Sequence, residues 1–166
     1  MIDWTNRLDN YNERVRFLVL HHTVANSAET TINAFKRRGV SSHYIVDKDA
    51  TIYKMVDDHK RAWHAGVSDW GNSSNINDTS IGIEIVNLGD KPFLDPQLDG
   101  VAELSKEIIK KYKIKNKNIV AHGDIAFNRK YDPSAYFDWK LFYKKYGLLM
   151  AYMIVSLFLR SKKKCY

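Results

Sequence analysis

The chain has 166 residues, most simply one domain and long enough to bury a proper core. Its 45% apolar and 27% charged residues are ordinary for a globular protein, and no repeat, Gly/Ser linker or low-complexity tract divides it. The net charge of +7 points to an anionic partner or environment, but no nucleic-acid-binding motif accompanies it, and the single cysteine, Cys165, excludes a disulfide framework.

The first structural signal along the chain is Val15–Leu20, dense in branched and aromatic residues, which reads as a buried strand ending in His21-His22-Thr23. Asn26, with Glu29 three residues later, reads as a helix start, and Gly39 as its stop after Arg38. Ser42–Val46 and Thr51–Met55 read as two strands around the turn Asp47–Ala50. The Asn-, Ser- and Gly-rich stretch Asp69–Asp78 reads as a loop. Ser80–Leu88 is the clearest strand, with Ile81, Ile83 and Ile85 on one face and Gly82, Glu84 and Val86 on the other.

Pro96 opens a second helix that runs to about Tyr112, with Leu98, Val101, Leu104, Ile108 and Tyr112 forming a buried stripe. Ile119–Ala121 is a short strand leading into His122. Strands and helices alternate, so the expected class is α/β, a mixed central sheet flanked by helices.

Residues 1–146 make up the expected domain, and 147–166 a tail that is first apolar and then basic. The apolar run Leu148–Leu159, as a helix, would span about 18 Å, short of a hydrocarbon core of about 30 Å. A helix packed on the domain or an interfacial anchor in weak contact with a membrane surface are the readings left.

The chemistry concentrates in His122–Pro133. Within the eleven residues from His122 to Asp132 lie an imidazole, the Lys130 ammonium and a carboxylate, with no helical or strand periodicity. Two imidazoles and a carboxylate are a ligand set expected of a catalytic zinc that keeps one position for water. His21 and His22 are adjacent in a strand, point to opposite faces and rarely share a metal. Both faces are apolar, so spacing does not choose between them. Glu84 is a carboxylate inside an apolar strand, readable as a solvated outer face or as a general base. Lys130 reads as a solvated loop lysine or as an oxyanion donor.

Five segments in order then carry a resemblance: Leu20-His21-His22-Thr23, Ser41-Ser42-His43-Tyr44, Arg61–Ser68 with Trp63-His64-Ala65-Gly66, Asn77–Glu84, and His122–Pro133. Over roughly Val15 to Trp139 the chain resembles the type 2 N-acetylmuramoyl-L-alanine amidases, the AmpD/AmiD group, and more distantly the peptidoglycan recognition proteins. The resemblance implies that family's fold and a zinc held by His21, His122 and Asp132. It implies Glu84 and Lys130 as catalytic residues and Trp63, His64 and Asn77 as residues bordering the substrate cleft, although His64 reads equally as a structural hydrogen-bonding residue. Phe127-Asn128 and Ser134-Ala135 depart from the family pattern by altering loop stiffness without removing a ligand.

The implied activity is hydrolysis of the amide between N-acetylmuramic acid and L-alanine, in peptidoglycan or in 1,6-anhydromuropeptides. The implied partners are wall fragments or the sacculus, and a non-catalytic muropeptide receptor on the same fold is the alternative. Met1–Arg7 carry no apolar signal core, which favours the cytoplasm over the periplasm or envelope.

Overall fold

A computed structural model describes residues 14–147; the expectations for the tail beyond Gly147 lie outside the described residues. Five strands form one sheet: β1 (Phe17–His22), β2 (Tyr44–Val46), β3 (Ile52–Lys54), β6 (Ser80–Ile85) and β7 (Ile119–Ala121). Their order is β3-β2-β6-β1-β7, with β2, β6, β1 and β7 parallel and only the exposed edge strand β3 antiparallel. The mixed sheet is therefore as expected, and its one hairpin is the pair of strands read around Asp47–Ala50.

Side-chain alternation divides the sheet into two faces. One carries Leu18, Leu20, Tyr44, Val46, Ile81, Ile83, Ile85 and Ile119, packed on Val101, Leu104 and Ile108 of α2 (Asp95–Tyr112). Each such fully buried Leu or Ile contributes about 1.5–3 kcal/mol. The stripe read on α2 is the one that packs here, with Leu98 and Tyr112 at its margins. The opposite face carries Phe17, Val19 and Val120 under Ala65, Ile76 and Ile125, while Ile45 and Val86 pack beneath α1 (Ala28–Arg38).

Three local readings are corrected. The N-cap of α1 is Ser27, whose hydroxyl accepts the Thr30 N–H at 3.1 Å, one residue after the expected Asn26. Asp69–Asp78 is not all loop: β4 (Asp69–Trp70) and β5 (Ser73–Ser74) form a two-residue ribbon, followed by a 3-10 turn over Ile76–Thr79. His122–Ile125 forms a single helical turn, α3, and a further helix, α4 (Trp139–Tyr146), starts at Asp138, whose carboxylate accepts the Leu141 N–H and seats Phe142 in the core.

Candidate metal and catalytic site

Parallel strands align their carboxyl ends, and ligands in open α/β sheets gather in the crevice beyond those ends. His21 and Glu84 are register partners at the ends of β1 and β6, so their side chains leave the same face. On the other flank of β1, Val120 shares that face, and His122 follows β7 two residues later. This settles which histidine of the pair shares the face of Glu84. His22 leaves the other side of the strand, and its Nδ1 accepts the Ser134 N–H at 3.0 Å.

The third component arrives on a loop. The Gly123 N–H donates to the Asp132 carbonyl at 2.9 Å, and the chain passes so close that a Cβ on Gly123 would stand 3.2 Å from Lys130 O and Tyr131 Cα. With Ser134 tied to His22, the Asp132 backbone is held from both sides.

The side chains of His21, His122 and Asp132 converge. Asp132 Oδ2 lies 3.2 Å from His21 Nδ1 and 3.1 Å from His122 Nδ1, and one ligand atom from each of the three residues falls within 4.8 Å of the others. Donor atoms at about 2.0–2.2 Å from a tetrahedral zinc stand about 3.3–3.6 Å apart, and both separations from Asp132 Oδ2 are close to that.

The chemistry of the set points the same way. His122 Nε2 lies 3.1 Å from the Ala65 carbonyl, which can only accept. In a neutral imidazole that nitrogen therefore carries the proton, and Nδ1 turns a lone pair toward the carboxylate. Burial first, and then the neighbouring His122, push His21 down to about 4, so it is neutral at pH 7. Burial pushes Asp132 upward, but hydrogen bonds donated by His122 and His21 when their Nδ1 atoms carry protons outweigh this and hold it well below the usual carboxylate range, so positive charge is favoured beside it. Two imidazole nitrogens and a carboxylate oxygen that face one another can hold a cation in place of those protons, and the residues fit a zinc ion.

Glu84 is buried beside this triangle. Its Oε2 has no hydrogen-bond partner among the described residues. Burial and the Asp132 charge push it up to about 8, against the pull of the Lys130 ammonium. Lys130 is exposed, and its charge is felt at both Glu84 and His21. Trp63 is 57% exposed.

The other two residues read as bordering the cleft are differently placed. His64 and Asn77 are buried at 9% and 5% exposure. His64 Nδ1 is 3.0 Å from His21 Nε2, and its Nε2 is 3.1 Å from Ser80 Oγ. Asn77 Oδ1 accepts the N–H groups of His64 and Ala65 at 3.1 and 2.8 Å. Both are buried, and His64 has the hydrogen-bonding surroundings of the structural role that the sequence equally allows it.

Sequence reasoning missed the Ala65 carbonyl, Ser80 and Gly82. A carbonyl leaves no trace in residue type. Gly82 did leave one: a lone glycine inside a branched strand marks a close approach, and here a Cβ would stand 2.6 Å from the His64 ring.

Residues 11–135 match the family model for N-acetylmuramoyl-L-alanine amidase, Amidase_2. The chain belongs to this family. It is 38% identical over 143 residues to the N-acetylmuramoyl-L-alanine amidase AmiD of Escherichia coli, covering 76% of this chain and 51% of that protein. It is 42% identical over 102 residues to the 1,6-anhydro-N-acetylmuramyl-L-alanine amidase AmpD of Haemophilus influenzae, covering 61% of this chain and 55% of that one. The chain thus spans about half the length of the curated relatives it matches. Among solved structures, the fold is similar to E. coli AmiD in complex with anhydro-N-acetylmuramic acid-L-Ala-D-γ-Glu-L-Lys, with a TM-score of 0.80 and 34% identity over 89% of this chain and 63% of that one. AmpDh3 of Pseudomonas aeruginosa in complex with anhydromuramic pentapeptide gives a TM-score of 0.77 at 36% identity, over 87% of this chain and 65% of that one.

Proposed function

We propose that the chain is a zinc-dependent amidase that hydrolyses the bond between the lactyl carbonyl of N-acetylmuramic acid and L-alanine, in anhydromuropeptides or in peptidoglycan. The observation that carries this reading is the triangle of His21 Nδ1, His122 Nδ1 and Asp132 Oδ2 with the unpartnered Glu84 carboxyl beside it. Similarity to amidases whose solved complexes hold anhydromuramyl peptides supports the substrate class.

His21, His122 and Asp132 would hold the zinc ion, which supplies Lewis acidity, making water nucleophilic near neutral pH and polarising a carbonyl. Glu84 takes a proton from the attacking water as the new C–O bond forms. It returns that proton to the alanine nitrogen as the C–N bond breaks, and the second water proton follows to the amine, leaving a lactyl carboxylate and the peptide's free ammonium group. Its Oε2, which has no hydrogen-bond partner among the described residues, is available for both transfers. The Lys130 ammonium and a dication both favour the ionised form that the first transfer needs. Lys130, exposed and with its charge felt at Glu84, stabilises the oxyanion of the tetrahedral intermediate. Trp63, more than half exposed, would offer an aromatic face to the substrate.

The test is release of free peptide from an anhydromuropeptide and from intact sacculi, followed by chromatography with zinc or with chelator. Glu84→Gln is expected to keep its zinc and lose about 10²–10⁴ in turnover. Peptide release that survives complete chelation would overturn the zinc assignment. Muropeptide binding by the zinc-loaded protein without any release would overturn the amidase in favour of a receptor.

A further inference from the structure

An imidazole ligand is set as much by the atom behind it as by the metal in front of it. The partner of the far ring nitrogen selects the tautomer and fixes the ring plane, and losing such a partner typically weakens metal binding about 10–100-fold. For His122 that partner is the Ala65 carbonyl. For His21 the atom behind the ring is His64 Nδ1, at 3.0 Å, with the two rings edge-on and their planes 86° apart.

One imidazole can back another only if its own proton is placed correctly. His64 Nδ1 must accept, so its Nε2 must carry the proton and find an acceptor. Ser80 Oγ stands 3.1 Å from it. The ring is seated against Gly82, where a Cβ would lie 2.6 Å from Cγ and Nδ1. Its backbone N–H is tied to Asn77 Oδ1, which also holds the Ala65 N–H. One amide side chain therefore aligns two consecutive residues, and each stands behind a different histidine of the triangle.

We propose that His64 is a positioning residue for His21. Its Nδ1 accepts the His21 Nε2 proton, passes the polarity on through its own Nε2–H to Ser80 Oγ, and so commits the His21 Nδ1 lone pair to the triangle with His122 and Asp132. His64 itself touches neither substrate nor metal. The inference rests on the zinc reading of the triangle and names what enforces it. A histidine in this position is a neutral acceptor, whereas an aspartate there would add a second negative charge next to Asp132.

The experiment measures the zinc affinity of the folded, metal-stripped full chain against a chelating indicator, for the wild type, His64→Ala, His64→Asn, Ser80→Ala and His122→Ala. His64→Ala is expected to raise the zinc Kd about 10–100-fold. His64→Asn places an amide oxygen near the former Nδ1 and should recover most of that loss, which a mere space-filling role would not produce. Ser80→Ala should weaken binding less than His64→Ala. Long-range ¹H–¹⁵N spectra of the zinc-bound wild type should show His21 protonated at Nε2.

His64→Ala folded and binding zinc as tightly as wild type would overturn the proposal while leaving the metal site standing. If His64→Ala does not fold, the spectra decide, and a proton on His21 Nδ1 in the zinc-bound protein overturns it. Equal zinc binding by His122→Ala and wild type, or none by either, would instead bring down the metal reading, and this inference with it.

Discussion

Adding one methyl group at Gly82 tests the packing under the site. Gly82 lies inside β6, and its backbone is not in the left-handed region, so alanine meets no conformational penalty there. The new Cβ would stand 2.6 Å from His64 Cγ and Nδ1 and 2.8 Å from Cδ2. Carbon contacts settle at about 3.5–4.0 Å, so the ring must retreat by roughly an ångström. That is enough to break its 3.0 Å approach to His21 or its 3.1 Å approach to Ser80. Overpacking of this kind costs about 1–3 kcal/mol. Alanine recovers about 0.5–1 kcal/mol that a mid-strand glycine forfeits. The net loss is at most about 2.5 kcal/mol, a fall in Tm of up to about 10 °C at about 2–4 °C per kcal/mol for a chain of this size.

The assay is calorimetry on the metal-free protein, with Gly82→Ala made in both wild-type and His64→Ala backgrounds. Without the imidazole the clash disappears, so the same substitution should become neutral or stabilising, a coupling of about 1–3 kcal/mol. An equal fall in Tm in the two backgrounds would refute the reasoning, because the strain would then reside somewhere other than the His64 ring.

Three further outcomes are expected. Zinc at 100 times its Kd should stabilise the folded chain by about 2.7 kcal/mol, so excess chelator should lower Tm by several degrees, and His122→Ala should abolish that difference. Trp63→Ala should leave Tm nearly unchanged, since surface changes stay within about ±0.5 kcal/mol, while raising KM for a muropeptide; an unaltered KM removes Trp63 from the cleft. The buried Asp58 carboxylate accepts from Tyr44 Oη at 2.6 Å, Tyr112 Oη at 2.8 Å and Lys111 Nζ at 3.0 Å. Although burial pushes Asp58 upward, these bonds hold it well below the usual carboxylate range. Because its folded pKa lies below the unfolded value of about 3.9, its stabilisation is full above pH 4 and lost as pH falls further. Acid titration of Tm below pH 4 should therefore be steeper for wild type than for Asp58→Asn, and parallel curves would refute this. At neutral pH the variant should lose about 2–4 kcal/mol, chiefly from the two phenol bonds to the charge, since Lys111 is 63% exposed.

What the sequence made legible follows from where the information lies. Val15–Leu20 and Ser80–Leu88 announce strands because both of their faces are buried, and α2 announces itself by a stripe that meets one face of the sheet. The same double burial hides the choice between His21 and His22, because apolar neighbours flank both. Only the register of β1 against β6, a pairing between residues 63 positions apart, puts Glu84 on the side of His21. The family resemblance carried His21, His122, Asp132, Glu84 and Lys130 as a set, and the fold brings the first four together with the Lys130 charge felt among them. It left His64 open between a place bordering the cleft and a hydrogen-bonding role because motif position does not distinguish a side chain at the surface from one beneath it, and the fold buries both His64 and Asn77. The Ala65 carbonyl is backbone, so no pattern of residue types could have named it. The helix α4 was overlooked although Asp138 is a good cap, because its eight residues bury only Phe142.

The topology explains why the triangle forms where it does. The crossover from β1 through α1 runs to β2, past β6, while the crossover from β6 through α2 runs the opposite way, past β1, to β7. Crossovers of one hand that travel in opposite directions must lie on opposite faces. Accordingly α1 packs over Ile45 and Val86, and α2 packs over Leu18 and Ile83. Neighbouring strands β1 and β6 thus send their outgoing chains apart, which opens a crevice above their carboxyl ends. On the α1 face that helix covers only the β2–β6 side, so the β1–β7 side is left to the loop bearing His64 and Ala65 and to α3. A loop can present a carbonyl and an imidazole edge-on to two strand-end histidines, whereas a helix would present neither its carbonyls nor a fixed ring behind them. The outer support of the site therefore comes from the one stretch of this face that the crossovers leave without a long helix.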